Sequence, residues 1–250
     1  NINLSICFFF NEQILYYCTR TLFLQKFSLF YLFIYFIFFF FWNISYLKNS
    51  EVDFIVIGEG EKPFKELLKL EFNKSKLIKR EGIAFIWPNG KLFFNPKSKN
   101  LDLNKIPSPF SSEIIDVIKY RSWLIIETMR GCSYRCAFCE EPGRFKGLRY
   151  FSLGRIKNEF KYILDRSEYL EILDNNFNLN KRRTKEICLY LSELQKNYRE
   201  KKKIAATLNY RFIDKKQINL FKRAGIVKVE IGLQTINPRA YRNLNRFPLN

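Results

Sequence analysis

Two rhythms of hydrophobic and polar positions run through this chain after residue 51, and a nearly unbroken apolar stretch precedes them. Val52 to Ile57 is a short apolar run, the pattern of a buried strand. Gly58-Glu59-Gly60-Glu61 reads as a turn, and Pro63 stands where a helix begins, followed by Phe64, Leu67 and Leu68 at helical spacing. Ile83, Phe85 and Trp87 alternate, Asn89-Gly90 is a hairpin turn, and Leu92 and Phe93 open the return strand. Residues 97–110 are polar and then proline-bearing, which predicts a linker.

From Trp123 the two periods take turns. Trp123 to Thr128 predicts a strand, and residues 152–166 a helix capped by Ser152, with Ile156, Phe160, Ile163 and Leu164 on one face. Tyr169 to Leu173 predicts a second strand ending at Asp174, followed by a helix with Ile187, Leu191, Leu194 and Tyr198 in register. Ile204 to Leu208 predicts a third strand. Asp214 with Gln217 resembles a capping box opening the next helix, which Gly225 ends. Val227, Val229, Ile231 and Leu233 alternate as a fourth strand, and Asn237-Pro238 starts another helix. Strands alternating with helices predict an α/β fold with a parallel sheet and crossover helices.

The first 50 residues are different material. Residues 27–44 are almost wholly apolar, include the run Phe38 to Trp42, and approach the length of a membrane span, with Lys26 and Lys48 flanking them. The phenylalanine excess also matches an AT-rich stretch translated in the wrong frame, and the chain begins with Asn. The frame artefact is the preferred reading and membrane association through 27–44 the alternative. The net charge is +19, which raises a nucleic-acid partner. The lysines are spread without forming a stripe, and the Lys, Asn, Ile, Phe and Tyr excess fits an AT-rich genome, so composition accounts for most of the charge.

The chemistry lies in Cys132, Cys136 and Cys139, spaced C-x3-C-x2-C with Phe138 just before the third. A loop this tight can aim three thiolates at one iron–sulfur cube and leave its fourth iron open for a ligand. A structural zinc site wants four ligands; no fourth cysteine is near, and the chain has no histidine. Three clustered cysteines cannot all pair as disulfides. Cys188 fits a helix interior, and Cys7 and Cys18 carry no readable role. The Gly58–Glu61 turn is not a phosphate loop, because its two carboxylates would repel phosphate and G-x-G-x-x-G is not completed.

With the strand before it and the aromatic residue inside it, the cysteine motif resembles that of radical S-adenosylmethionine (radical SAM) enzymes, over residues 122 to about 246. The resemblance implies a partial (β/α) TIM-like barrel of which about four of six βα units are present. It implies a [4Fe–4S] cluster on the three cysteines, with S-adenosylmethionine (SAM) bound at the open iron and cleaved by one electron to a 5′-deoxyadenosyl radical. Matching strand ends nominate Phe138, Asp174, Arg211, Gly232 and Gln234 as cofactor-binding, Gly232-Leu233-Gln234-Thr235 resembling the family's G-(I/L/V)-(E/Q)-(S/T) element. No residue is nominated as a catalytic acid or base.

The VDFIVIGEGEKPFKELL segment is similar to the end of the Rossmann-like, cobalamin-binding-type domain preceding many radical SAM barrels, and Ile106-Pro107-Ser108-Pro109 to an element just before the cluster domain. The implied organisation is an anomalous segment at 1–50, the end of that domain plus linker at 51–110, and a radical SAM core at 111–250, incomplete at its C-terminus. In that family a histidine in an earlier loop can ligate cobalt; this chain has no histidine, so the resemblance does not extend to an expectation of cobalamin. Implied partners are an external electron donor of flavodoxin or ferredoxin type and a small-molecule or peptide substrate, to be methylated or otherwise modified in the cytoplasm. The rival readings are a non-functional fragment of such an enzyme and a basic RNA-binding protein with a structural metal. The RNA-modifying methylthiotransferases rank below the cobalamin-type group, because Cys7 and Cys18 do not match their second cysteine set.

Overall fold

The apolar run after residue 52 becomes β1 (Phe54–Val56), which pairs antiparallel with β2 (Ile83–Ile86), itself paired with β3 (Leu92–Asn95). These assignments come from a computed structural model, which describes residues 47, 52–96, 100–110, 124–139 and 147–245. The expectations for residues 27–44 lie outside the described residues. No helix among those described is long and apolar enough to cross a membrane. The chain divides into two compact units, Asn1–Leu101 and Asp102–Asn250.

In the first unit both faces of the small sheet are covered, which is why β1 reads as a continuous apolar run. Phe54, Val56, Ile83 and Phe85 pack with Leu67 and Leu77, while Ile55 and Ala84 pack with Val52 and Leu47. The Phe85 ring stacks on Phe93 at 4.6 Å between centroids and meets Trp87 edge-on at 5.2 Å. Pro63 lies in the first turn of α1 (Glu61–Lys69), and Asn73 caps the short α2 (Lys74–Leu77) by accepting from the Lys76 N–H. The Trp87 N–H bonds to the Lys91 carbonyl across the hairpin turn, where Gly90 takes φ of 80°.

The second unit is the predicted parallel sheet. Its strands are β4 (Leu124–Ile126), β7 (Tyr169–Ile172), β8 (Lys203–Thr207) and β9 (Ile226–Glu230), ordered β4-β7-β8-β9. The crossovers are α3 (Leu153–Leu164), α4 (Lys181–Leu194) and α5 (Lys215–Ala224), and α6 (Pro238–Asn243) follows β9. Ile156, Phe160, Ile163 and Leu164 of α3 are wholly buried with Ile187, Cys188 and Leu191 of α4 against Leu170, Ile172 and Ile204 of the sheet. Ser152, Asn180, Asp214 and Asn237 each cap the helix that follows through the side-chain oxygen. Leu103 and Phe110, from the predicted linker, are buried in this same core.

Three features depart from the periodicity. First, α4 stops at Leu194 and a 3-10 turn (Gln195–Asn197) follows, so Tyr198 is not part of the helix. The cause is Gln195, whose buried amide accepts from the Lys202 N–H at 2.9 Å and donates to the Lys202 and Ala224 carbonyls. Gly225 is required beside it: its φ is 85°, and a Cβ there would stand 2.0 Å from the Gln195 Nε2. Second, β5 (Met129–Arg130) and β6 (Arg149–Tyr150) form a small antiparallel ribbon that the sequence does not announce. Third, Val227 and Val229 alternate as expected but are 65% and 48% exposed.

Candidate metal centre

A parallel sheet brings the carboxyl ends of all its strands to one side. Here the segments after β4, β7, β8 and β9 surround a cavity of about 160 Å³. From the segment after β4 come Cys132, Tyr134, Cys136, Phe138 and Cys139; from that after β7, Asn175 and Asn176. Thr207 to Tyr210 line it at the end of β8, and Gly232 and Gln234 beyond β9. The cysteine segment has no helix or strand of its own between residues 131 and 139, so its shape depends on what it is tied to.

The deepest tie is Asp174, just past β7 and 1% exposed. Its Oδ1 accepts the Thr128 N–H at 2.7 Å and the Met129 N–H at 3.1 Å, and its Oδ2 accepts the Thr128 hydroxyl in a short hydrogen bond. The Thr128 carbonyl takes the Arg183 Nη2 at 3.2 Å, and the same nitrogen reaches the Phe151 carbonyl at 2.7 Å. Every polar atom of Thr128, where β4 gives way to the cysteine segment, is thus occupied. Burial pushes the Asp174 carboxyl up to about 7, against the Thr128 and Met129 hydrogen bonds, which pull it down.

Further ties hold the far end. The Ala137 N–H donates to the Leu244 carbonyl at 2.9 Å, and the Asn245 Nδ2 to the Arg135 carbonyl at 2.7 Å. The floor between β7 and β8 is a buried pair: Asn178 Nδ2 donates to the Asn209 carbonyl at 2.9 Å, and the Asn209 N–H to Asn178 Oδ1 at 2.6 Å. Tyr134 hydrogen-bonds the Asn209 side chain, and burial raises its phenol above the ordinary value. The Cys132 Sγ accepts the Tyr134 N–H at 3.5 Å and the Asn176 Nδ2 at 3.7 Å. On the opposite wall Gln234 has φ of 64° and the Thr235 N–H bonds back to the Leu233 carbonyl at 2.8 Å, a three-residue turn in its strained, positive-φ form. The Tyr241 hydroxyl donates to that carbonyl at 2.6 Å.

Of the residues singled out from sequence, Cys132, Cys136, Cys139, Phe138, Gly232 and Gln234 are brought together around the cavity. Asp174 does not line it; its carboxylate is turned back under the cysteine segment. Arg211 is also absent from the lining: it is exposed, and its backbone N–H bonds to Asn209 Oδ1 at 3.1 Å. Tyr134, Asn175, Asn176, Asn209 and Tyr210 are among the lining residues that sequence reasoning passed over. Their one signal is position, each following a strand end or lying between the cysteines.

The three cysteines are in no disulfide and partly exposed, while Cys188 is buried in the core with its thiol pushed up to about 12. Among the described residues no three Cys, Asp or Glu side chains already stand as a closed metal-ligand set. The donor chemistry nevertheless fits an iron–sulfur cluster: three soft sulfurs on one segment, at the mouth of one cavity, with N–H donors at hand.

Residues 126–248 match the family described as Radical SAM superfamily. A curated relative, "Uncharacterized methyltransferase PH0819" of Pyrococcus horikoshii, is 29% identical over 200 residues, covering 75% of this chain and 41% of the relative. Among solved structures, the radical SAM methyltransferase TsrM of Kitasatospora setae, with cobalamin and a [4Fe–4S] cluster bound, has a TM-score of 0.61 at 16% identity, covering 82% of this chain and 43% of that one. The cobalamin-dependent SAM radical enzyme OxsB has a TM-score of 0.60 at 19% identity, covering 81% and 31%. The two solved structures show the shared fold, a partial TIM-like barrel with its parallel sheet. This chain spans less than half of the length of each of these three proteins.

Proposed function

The chain carries a radical SAM domain over residues 126–248, homologous to radical SAM enzymes, and from that premise we propose that its cavity is a site for reductive cleavage of SAM. Cys132, Cys136 and Cys139 would hold a [4Fe–4S] cluster. When bound, the cluster supplies one electron and an open iron for the amino and carboxylate groups of SAM. The observation that carries the reading is the meeting of three reduced thiols with Phe138, Gly232 and Gln234 at the carboxyl ends of four parallel strands.

The chain's own residues would bind and orient the nucleoside. The Phe138 ring is 50% exposed and offers an apolar face to adenine. Gly232 has no side chain to keep a ligand from the backbone, and the Gln234 amide can donate to or accept from ribose hydroxyls. Asp174, buried beneath the cysteine segment, would shape the site without touching the nucleoside.

An external one-electron donor of flavodoxin or ferredoxin type would feed the site. Methyl transfer to a small-molecule or peptide substrate is the outcome favoured, since PH0819 and TsrM both carry the name methyltransferase. Cobalamin is named for TsrM and OxsB and is said of those two proteins.

Anaerobic reconstitution with ferrous iron and sulfide tests the proposal. The chain is expected to take up both, show iron–sulfur charge-transfer absorbance, and release 5′-deoxyadenosine from SAM under reducing conditions. Cys136→Ala is expected to lose all three properties. Full iron and sulfide content in Cys136→Ala, or uptake of zinc alone by the unaltered chain, would overturn the reading.

A further inference from the structure

Two distinct N–H donors are in place for the Cys132 sulfur. One is the backbone N–H of Tyr134, two residues on, at 3.5 Å; the other is the side-chain amide of Asn176, 44 residues away, at 3.7 Å. The first arises within the cysteine segment itself. The second crosses from the β7 end to the β4 end, so it exists only because the sheet places those ends side by side.

Asn176 is held for that task from both directions. Two residues before it, Asp174 is buried and bonded to Thr128 and Met129. Immediately after it, Phe177 is 3% exposed in the core, with its N–H on the Thr207 carbonyl at 2.9 Å. Two residues after it, Asn178 is fully buried against the Asn209 backbone. The Asn176 carbonyl itself accepts the Leu179 N–H at 3.2 Å. A backbone clamped on both sides leaves the amide little freedom to leave the sulfur.

We propose that Asn176 is a positioning residue that sets the electron affinity of a cluster held at Cys132, by donating an N–H bond to the Cys132 thiolate. This inference rests on the cluster reading above. A thiolate sulfur carries more negative charge after the cluster accepts an electron than before. An N–H donor therefore stabilises the reduced state more than the oxidised one and raises the reduction potential. Removing the donor should lower the potential. Replacing the amide by a carboxylate of the same size should lower it further, since a donor becomes a negative charge beside the sulfur.

The experiment compares the unaltered chain with Asn176→Leu and Asn176→Asp, each reconstituted anaerobically with iron and sulfide, and reads the midpoint potential by EPR-monitored redox titration. The expected order, from highest to lowest potential, is unaltered chain, Asn176→Leu, Asn176→Asp, with iron and sulfide content per chain the same in all three. Equal potentials across the series, or a higher potential in Asn176→Leu, would overturn the inference while leaving the cluster assignment standing. Failure of the unaltered chain itself to take up iron and sulfide would overturn the cluster assignment and this inference with it. Asn176→Ala removes the same donor with a smaller change in shape, so a potential in Asn176→Ala equal to or above that of the unaltered chain overturns the inference even if Asn176→Leu does not fold.

Discussion

The two flanks of the cavity are built from strands of the same kind and held in opposite ways. On the β4–β7–β8 flank, Leu124, Ile126, Leu170, Ile172, Ile204 and Ala206 are buried and the strand ends are bolted by buried polar groups: Asp174 to Thr128 and Met129, and Asn178 to Asn209. On the β9 flank, Val227 and Val229 are exposed, and the wall near Gln234 is a strained turn secured by the Tyr241 hydroxyl. The alternation of Val227 and Val229 is as regular as that of Leu170 and Ile172, yet one pair is open to solvent and the other is in the core. Alternation reports that a segment is extended with two unlike faces; what covers those faces is decided elsewhere.

The largest expected effect is on the bolted flank. Asp174→Ala would leave two backbone N–H groups and a hydroxyl without their acceptor in a dry site. It should destabilise the chain by about 3–5 kcal/mol in urea denaturation and release the start of the cysteine segment. The same residue gives a pH signature. The folded carboxyl is pushed up to about 7 from an ordinary 3.8. Its stabilising contribution is therefore fully present below the unfolded value and is lost as pH rises through the folded one. The urea midpoint should fall from about pH 4 to about pH 7, and Asp174→Asn should abolish that part of the slope.

A matched pair then breaks the comparison directly. Ile172→Ala, in the core, should cost about 3 kcal/mol, and Val229→Ala, on β9, less than about 0.5 kcal/mol by the same measurement. Equal costs would mean that the exposed face of β9 is covered in solution. The smallest effect should be a gain: Gln234→Gly relieves the positive φ of 64°, and thermal denaturation should show a stabilisation of about 0.5 kcal/mol. If it destabilises instead, the Gln234 side chain makes contacts on the β9 flank that outweigh its backbone strain.

Much of the scaffold was readable because its determinants are local. Ser152, Asp214 and Asn237 cap the next turn of their own chain, Asn89-Gly90 closes its own hairpin, and Gly225 supplies the left-handed residue at a helix end. The three cysteines and Phe138 were readable for the same reason, lying within eight consecutive residues. Asp174 shows where this stops. Its place at a strand end suggested a cofactor contact, but its partners, Thr128 and Met129, are 46 and 45 residues away. Asn176 and Asn209 were passed over because an asparagine after a strand carries no sign of which distant group it meets; only the parallel register sets one beside Cys132 and the other beside Tyr134.

Sequence alone determined the order of the four parallel strands and their crossover helices, the caps at Ser152, Asp214 and Asn237, and the presence of three sulfurs on one short segment, because each depends on side chains a few residues apart. Tertiary structure decided which strand faces are buried, that Asp174 turns inward beneath the cysteines, and that an amide from another strand reaches one of the sulfurs. Those outcomes depend on groups dozens of residues apart, and only the closing of the sheet fixes the distance between them.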